Sequence, residues 1–158
     1  MEKTNVMRML DQKKISYMSH CYLNTGAISG IEVAKVLKED PKKVFKTLVT
    51  ISSTNHYYVF VIPVAEELDL KKAAKAVNEK SISMLKQKDL LPLTGYIHGG
   101  CSPIGMKKVF KTVLHVSAKS LDTIMISAGK IGYQVELNYQ ELEKFVPLEL
   151  HDIIIDKK

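Results

Sequence analysis

The chain has no tryptophan and only two cysteines, Cys21 and Cys101. So few thiols exclude a disulfide framework and suit a reducing compartment. No apolar run approaches the roughly 20 residues that span a bilayer, so no membrane partner is expected. Residues 1–5 lead directly into an amphipathic pattern, without the apolar core of a secretory signal. The expected setting is therefore the cytoplasm. Glycine and proline are sparse, 8 and 5 in 158 residues. Neither a repeat, a low-complexity tract nor an interdomain linker breaks the pattern. With 46% hydrophobic residues, one domain over residues 1–158 has enough apolar material for a core. Acidic residues number 17 against 23 Lys and Arg, for a net charge of +6. That balance favours polyanions through long-range attraction.

Local patterns place the elements. Thr4 or Asn5 begins a helix whose stripe is Val6, Met9 and Leu10. A strand is expected over 15–23. Ser29 with Glu32 three positions later reads as a capping box for a helix over 31–38, and Pro41 opens the following turn. Strands over 44–52 and 56–63 are joined by the turn-forming Ser52-Ser53-Thr54-Asn55. Asp69 caps a helix to about residue 78, and 81–93 mixes a short strand with a helical turn. Further strands are expected over 95–97, 112–117, 122–128 and 132–137. Asn138 with Glu141 starts a last helix to about 145, and 151–156 reads as a final strand. Many near-neighbour strands with short helices predict an α+β fold. Its sheet is expected to be mixed, mostly antiparallel and curled into a barrel-like core.

Lys46 is the most informative residue. Alternation along 44–51 puts Val44, Lys46, Leu48 and Thr50 on one face, and Phe45, Thr47, Val49 and Ile51 on the other. Both faces are largely apolar. A lysine there either meets an anionic or polarised partner, because a buried unpaired charge is costly, or lies on an edge strand and reaches solvent. The stretch 94–105 holds four glycines and a proline. Such a loop lets backbone approach a phosphate or ribose, but it matches no established nucleotide motif and equally suits an irregular connection. Ser127-Ala128-Gly129-Lys130 presents a hydroxyl and backbone donors, and also fits a plain turn.

Two other constellations compete. His20, Cys21, His98 and Cys101 are zinc-ligand types, but they lack a paired framework. Cys101 or Ser102 with His98 offers a nucleophile and a base without a third member. The lysines recur along the whole chain, so the sequence does not show whether they converge into an RNA track.

Taken in order, Phe45-Lys46-Thr47-Leu48, Pro63-Val64-Ala65, Leu68-Asp69-Leu70-Lys71-Lys72, the 95–105 loop and Ser127-Ala128-Gly129-Lys130 resemble the YbaK/ProX family of aminoacyl-tRNA deacylases. The likeness is nearest to the Cys-tRNA(Pro) type and covers nearly the whole chain. It implies a pocket for the terminal adenosine and its aminoacyl ester, with Lys46 as the central functional residue. Tyr22, Thr47, Gly99, Gly100, Ser127 and Gln134 fall on substrate-binding positions. It implies an aminoacyl-tRNA substrate, a prolyl-tRNA synthetase partner, no DNA partner, no metal and no cofactor. It also implies a route without a triad, in which the thiol of a cysteinyl ester attacks its own carbonyl. The chain departs from the family pattern at Gln134, where many relatives carry Asp, and at His98 before the glycine pair. These departures leave open deacylation of Ala- or Ser-tRNA, or a non-catalytic module binding RNA ends.

Overall fold

A computed structural model describes residues 2–22 and 30–157. The first helix, α1 (Asn5–Gln12), starts at Thr4, whose hydroxyl accepts from Met7 N–H, and it buries Val6, Met7 and Leu10. It leads to β1 (Met18–Cys21), shorter than the 15–23 expected. Next comes α2 (Gly30–Val36). Ser29 of the expected capping box lies outside the described residues.

The hairpin is as read. β2 (Phe45–Ser52) and β3 (Tyr57–Pro63) pair antiparallel from Phe45↔Pro63 to Ile51↔Tyr57. In α3 (Leu70–Ala76), Asp69 accepts from the N–H groups of Lys71 and Lys72, satisfying donors that the first turn leaves orphaned. A short β4 (Ile82–Met84) and then α4 (Gln87–Thr94) follow.

The sequence-based expectations need correcting at several places. Residues 95–97 form no strand, because Gly95 ends α4 in the left-handed region at φ +85° and Tyr96 N–H turns back to Thr94 Oγ1 at 3.0 Å. β5 (Thr112–His115) stops early and tightens into a 3₁₀ turn over Val116–Ser120. After β6 (Ile124–Ser127) and β7 (Tyr133–Leu137), the turn capped by Asn138 (Tyr139–Lys144) is 3₁₀ rather than α. There Glu141 pairs with Lys144 instead of reaching back to the cap. The last strand, β8 (Leu148–His151), precedes the expected 151–156, where only Ile154 forms an isolated bridge to Leu68.

The strands form two sheets. A three-stranded antiparallel sheet has the order β1-β7-β6, and a five-stranded mixed sheet has the order β4-β2-β3-β5-β8. In the larger sheet β3/β5 and β5/β8 are parallel. The fold is α+β with mixed sheets, and no closed barrel forms among the described residues. The main core lies between the sheets and α1, with Leu10, Val61, Leu114, Ile126 and Val135 at its centre. No helix among the described residues is long and apolar enough to cross a membrane.

Candidate active site

Two sheets that meet at one point and then separate leave a wedge between them. They meet where Val44 and Met125 form a parallel bridge, with Met125 N–H donating to Lys43 O at 2.9 Å. At the far end of β2, β4 pairs only with Thr50, Ile51 and Ser52, and Leu85 N–H donates to Val49 O at 3.0 Å. Between these closures, Lys46, Thr47 and Leu48 pair with β3 on one side and have no strand partner among the described residues on the other. A cavity of about 590 Å³ opens there.

The cavity gathers most of the residues singled out in the sequence. Lys46 and Thr47 come from β2, Ser127 from the end of β6, Gln134 from β7, Tyr22 from the residue after β1, and Gly99 from the glycine loop. Ser127 and Gln134 are direct partners in the β6/β7 ladder, so their side chains share a face. Tyr22 is held by its N–H, which donates to Gly132 O at 2.8 Å, and by packing on Val33. Gly99 sits at φ +89°, which a side chain rarely tolerates. Gly100 lies behind the cavity rather than on it. A Cβ there would stand 3.3 Å from Ile131 N, so the absent side chain lets the glycine loop pack on the β6–β7 turn.

Three features give the cavity its electrostatic character. Lys46 is half-buried and makes no hydrogen bond or ion pair among the described residues. Burial holds its ammonium below the usual lysine range, opposed by Glu67 and Glu66. Thr47 Oγ1 and Gln134 Oε1 are buried atoms without a hydrogen-bond partner among the described residues, although buried polar groups are nearly always satisfied. Ser127 Oγ accepts from Gly129 N–H at 3.1 Å, which aligns the hydroxyl. Apolar wall comes from Met84, Leu85 and Leu90. The sequence patterns gave no sign of this contribution, because nothing local says which surface the short α4 segment turns inward.

The competing chemistries do not assemble. Cys101 and His98 also line the cavity, but burial pushes the Cys101 thiol up to about 12, so it is no thiolate at neutral pH. Ser102 is fully buried with Oγ accepting from Ile104 N–H, outside the cavity lining. His20 lies instead on β1, 2.9 Å from Glu136. Among the described residues the group with metal-ligand character is His20, Glu39 and Glu136, and it contains no cysteine. Lys43 Nζ already stands 2.8 Å from Glu136 and 4.0 Å from Glu39, supplying the positive charge.

That cluster was not anticipated from the sequence. Glu136 is two residues from Gln134 on the same face of β7. Burial alone would raise its carboxyl, but hydrogen bonds from Lys43, Thr123 and His20 outweigh this and hold it at about 2. Its charge is thus spent on structure, and it does not line the cavity.

The fold recurs in solved structures. A candidate trans-editing enzyme for prolyl-tRNA synthetase superposes with a TM-score of 0.82 at 17% identity, over 98% of this chain and 100% of that one. A protein described only as hypothetical does so with a TM-score of 0.85 at 17% identity, over 96% and 100%. Closer in sequence is EbsC of Enterococcus faecalis (strain ATCC 700802 / V583), named as a candidate Cys-tRNA(Pro)/Cys-tRNA(Cys) deacylase. It is 47% identical over 137 residues, which cover 86% of this chain and 84% of that protein. The aminoacyl-tRNA editing domain matches residues 27–145, a span holding Lys46, Thr47, the glycine loop, Ser127 and Gln134, and with it the chain belongs to the aminoacyl-tRNA editing domain family.

Proposed function

We propose that the chain deacylates mischarged tRNA in trans, with Cys-tRNA(Pro) as its preferred substrate. The observation that carries this reading is a half-buried Lys46, without an ion pair among the described residues, in a cavity that Thr47 and Gln134 also line. A ligand with developing negative charge suits that ammonium, and hydrogen-bond donors on it suit the side-chain oxygens of Thr47 and Gln134. The terminal adenosine of a charged tRNA has ribose hydroxyls and an exocyclic amine for the oxygens, and its ester carbonyl suits the ammonium.

Among the described residues no activated nucleophile lines the cavity, which supports a substrate-assisted route. The cysteinyl thiolate attacks its own ester carbonyl. A carbon–sulfur bond forms, the carbon–oxygen bond to ribose breaks, and a cyclic thiolactone leaves. The proton lost by the thiol returns to the ribose oxygen. Lys46 stabilises the negative charge on the carbonyl oxygen. Tyr22, Thr47, Gly99, Ser127 and Gln134 hold the ester in a reactive geometry, and Gly100 sets the loop that carries Gly99. A prolyl-tRNA synthetase partner would supply selection of the tRNA body, which a cavity of this size does not contact. The cytoplasm, where tRNA is charged, is the setting this implies.

The test is deacylation of Cys-, Ala-, Ser- and Pro-tRNA(Pro) by wild type and Lys46→Ala. Loss of the cysteinyl ester, abolished in a folded variant, is the expected result. Turnover of another ester would change the substrate and keep the reaction. Tight binding of charged tRNA without turnover would replace the enzyme with a module that binds RNA ends, the reading favoured by an amide at Gln134.

A further inference from the structure

Beside the main cavity lies a groove of about 490 Å³, bounded by Ile51 and Tyr57 of the hairpin, by residues 83–86 and by α4. The two spaces share Met84 and Leu85 as a common wall. The first turn of α4 continues that wall. Gln87 and Leu90 face the main cavity, whereas Lys86, Lys88 and Asp89 face the groove. Met84, on the ridge, is 44% exposed. A chain leaving the cavity over this low apolar ridge enters the groove directly.

The groove has the chemistry of a single-stranded polyanion track. Lys86 and Lys88 are exposed, and neither makes an ion pair or hydrogen bond among the described residues. Asp89 is the one carboxylate on its lining. Tyr57 offers a half-buried ring steadied by an edge contact with Phe110, with centroids 5.9 Å apart and planes at 63°. An aromatic ring and lysines without ion pairs lining one groove are the groups that stack bases and follow a phosphate backbone.

We propose that this groove binds the unpaired nucleotides preceding the terminal adenosine of the tRNA acceptor end. The phosphodiester would cross the Met84–Leu85 ridge beside Lys86 and Lys88, with a base stacked on Tyr57. This rests on the reading of the main cavity as the site of the terminal adenosine and its ester. The groove thereby gives the enzyme affinity for RNA rather than for the amino acid.

The experiment compares two substrates, an RNA minihelix ending in CCA charged with cysteine and 2′(3′)-O-cysteinyl adenosine, which reaches only the main cavity. In the double variant Lys86→Gln/Lys88→Gln, KM for the minihelix is expected to rise roughly tenfold with kcat little changed, and KM for the adenosine ester to stay the same. The salt dependence of minihelix binding should weaken by roughly 0.7 in log–log slope per lysine removed. Tyr57→Ala should have a similar selective effect and Tyr57→Phe should restore binding. Replacing Lys75 and Lys119, which line neither space, controls for net charge. Unchanged minihelix kinetics, or equal losses on both substrates, would overturn the groove. Binding of the uncharged minihelix reads it independently of chemistry. If wild type cleaves neither ester while the lysine variants still weaken that binding, the groove stands and the deacylase reading falls.

Discussion

Thr47 Oγ1 on the five-stranded sheet and Gln134 Oε1 on the three-stranded sheet belong to residues lining one cavity, and both are buried without a partner among the described residues. A buried unsatisfied polar group costs about 1–3 kcal/mol. Both side chains border the cavity, so turning toward a bound ligand would recover that cost.

Thr47→Val keeps the shape and removes one of these groups. The expected result is a gain of about 1 kcal/mol in stability, raising Tm by roughly 2–4 °C. KM for charged tRNA should rise roughly three- to tenfold as a hydrogen bond to substrate is lost. Thermal unfolding and steady-state deacylation of the same preparation check both halves.

The depressed Lys46 predicts the alkaline limb of the pH profile. A lysine that must be protonated supports turnover below its folded pKa and fails above it. Because burial moves that pKa below 10.5, the rate should fall earlier than an ordinary lysine allows. The rising limb should track the substrate thiol, near about 8.5. In Lys46→Arg the alkaline fall should disappear while the rising limb remains, as measured in single-turnover assays across the pH range.

Glu136 links the fold to acid stability. Its folded value of about 2 lies below the ordinary 4.5. A depressed carboxyl stabilises fully above its unfolded pKa and loses that contribution as pH falls through its folded pKa. The contribution is about 3 kcal/mol at neutral pH. Urea unfolding of Glu136→Gln should show a deficit of that order at pH 7, closing between pH 4.5 and 2.

Cys101 tests the absence of a protein nucleophile. Its thiol is held at about 12, whereas Cys21 is exposed. Iodoacetamide at pH 8 should label Cys21 and spare Cys101, as read by peptide mass spectrometry. Cys101→Ala should retain deacylation. Abolished turnover in that folded variant would return the thiol to the chemistry.

Much of the architecture was legible because it is written locally. The alternation at 44–52, the turn residues after it and the cap at Asp69 each specify an element within a few positions. The site was legible chiefly through Lys46, whose charge conflicts with the apolar pattern around it. What stayed hidden depends on partners distant in the chain. The lysine had two readings, and the structure combines them: it lies where β2 lacks a neighbour on one side, yet its side chain is half-buried at a cavity. The 95–97 segment has the residues of a strand but follows a left-handed glycine that turns it away. The Glu136 cluster joins residues 20, 43, 123 and 136, and no spacing rule connects these. The apolar wall from residues 84–90 was likewise set by packing alone.

The Val44–Met125 bridge has one further consequence. Both side chains are fully buried, and the bond from Met125 N–H to Lys43 O holds the two strands at backbone hydrogen-bonding distance there. Val44 also lines the cavity, whereas Met125 does not, so a change of bulk at Val44 alters the cavity wall while Lys46, Thr47, Ser127 and Gln134 keep their places in the ladders. The wall at the closed end of the wedge can therefore be reshaped from the interior, apart from the groups proposed to meet the ester.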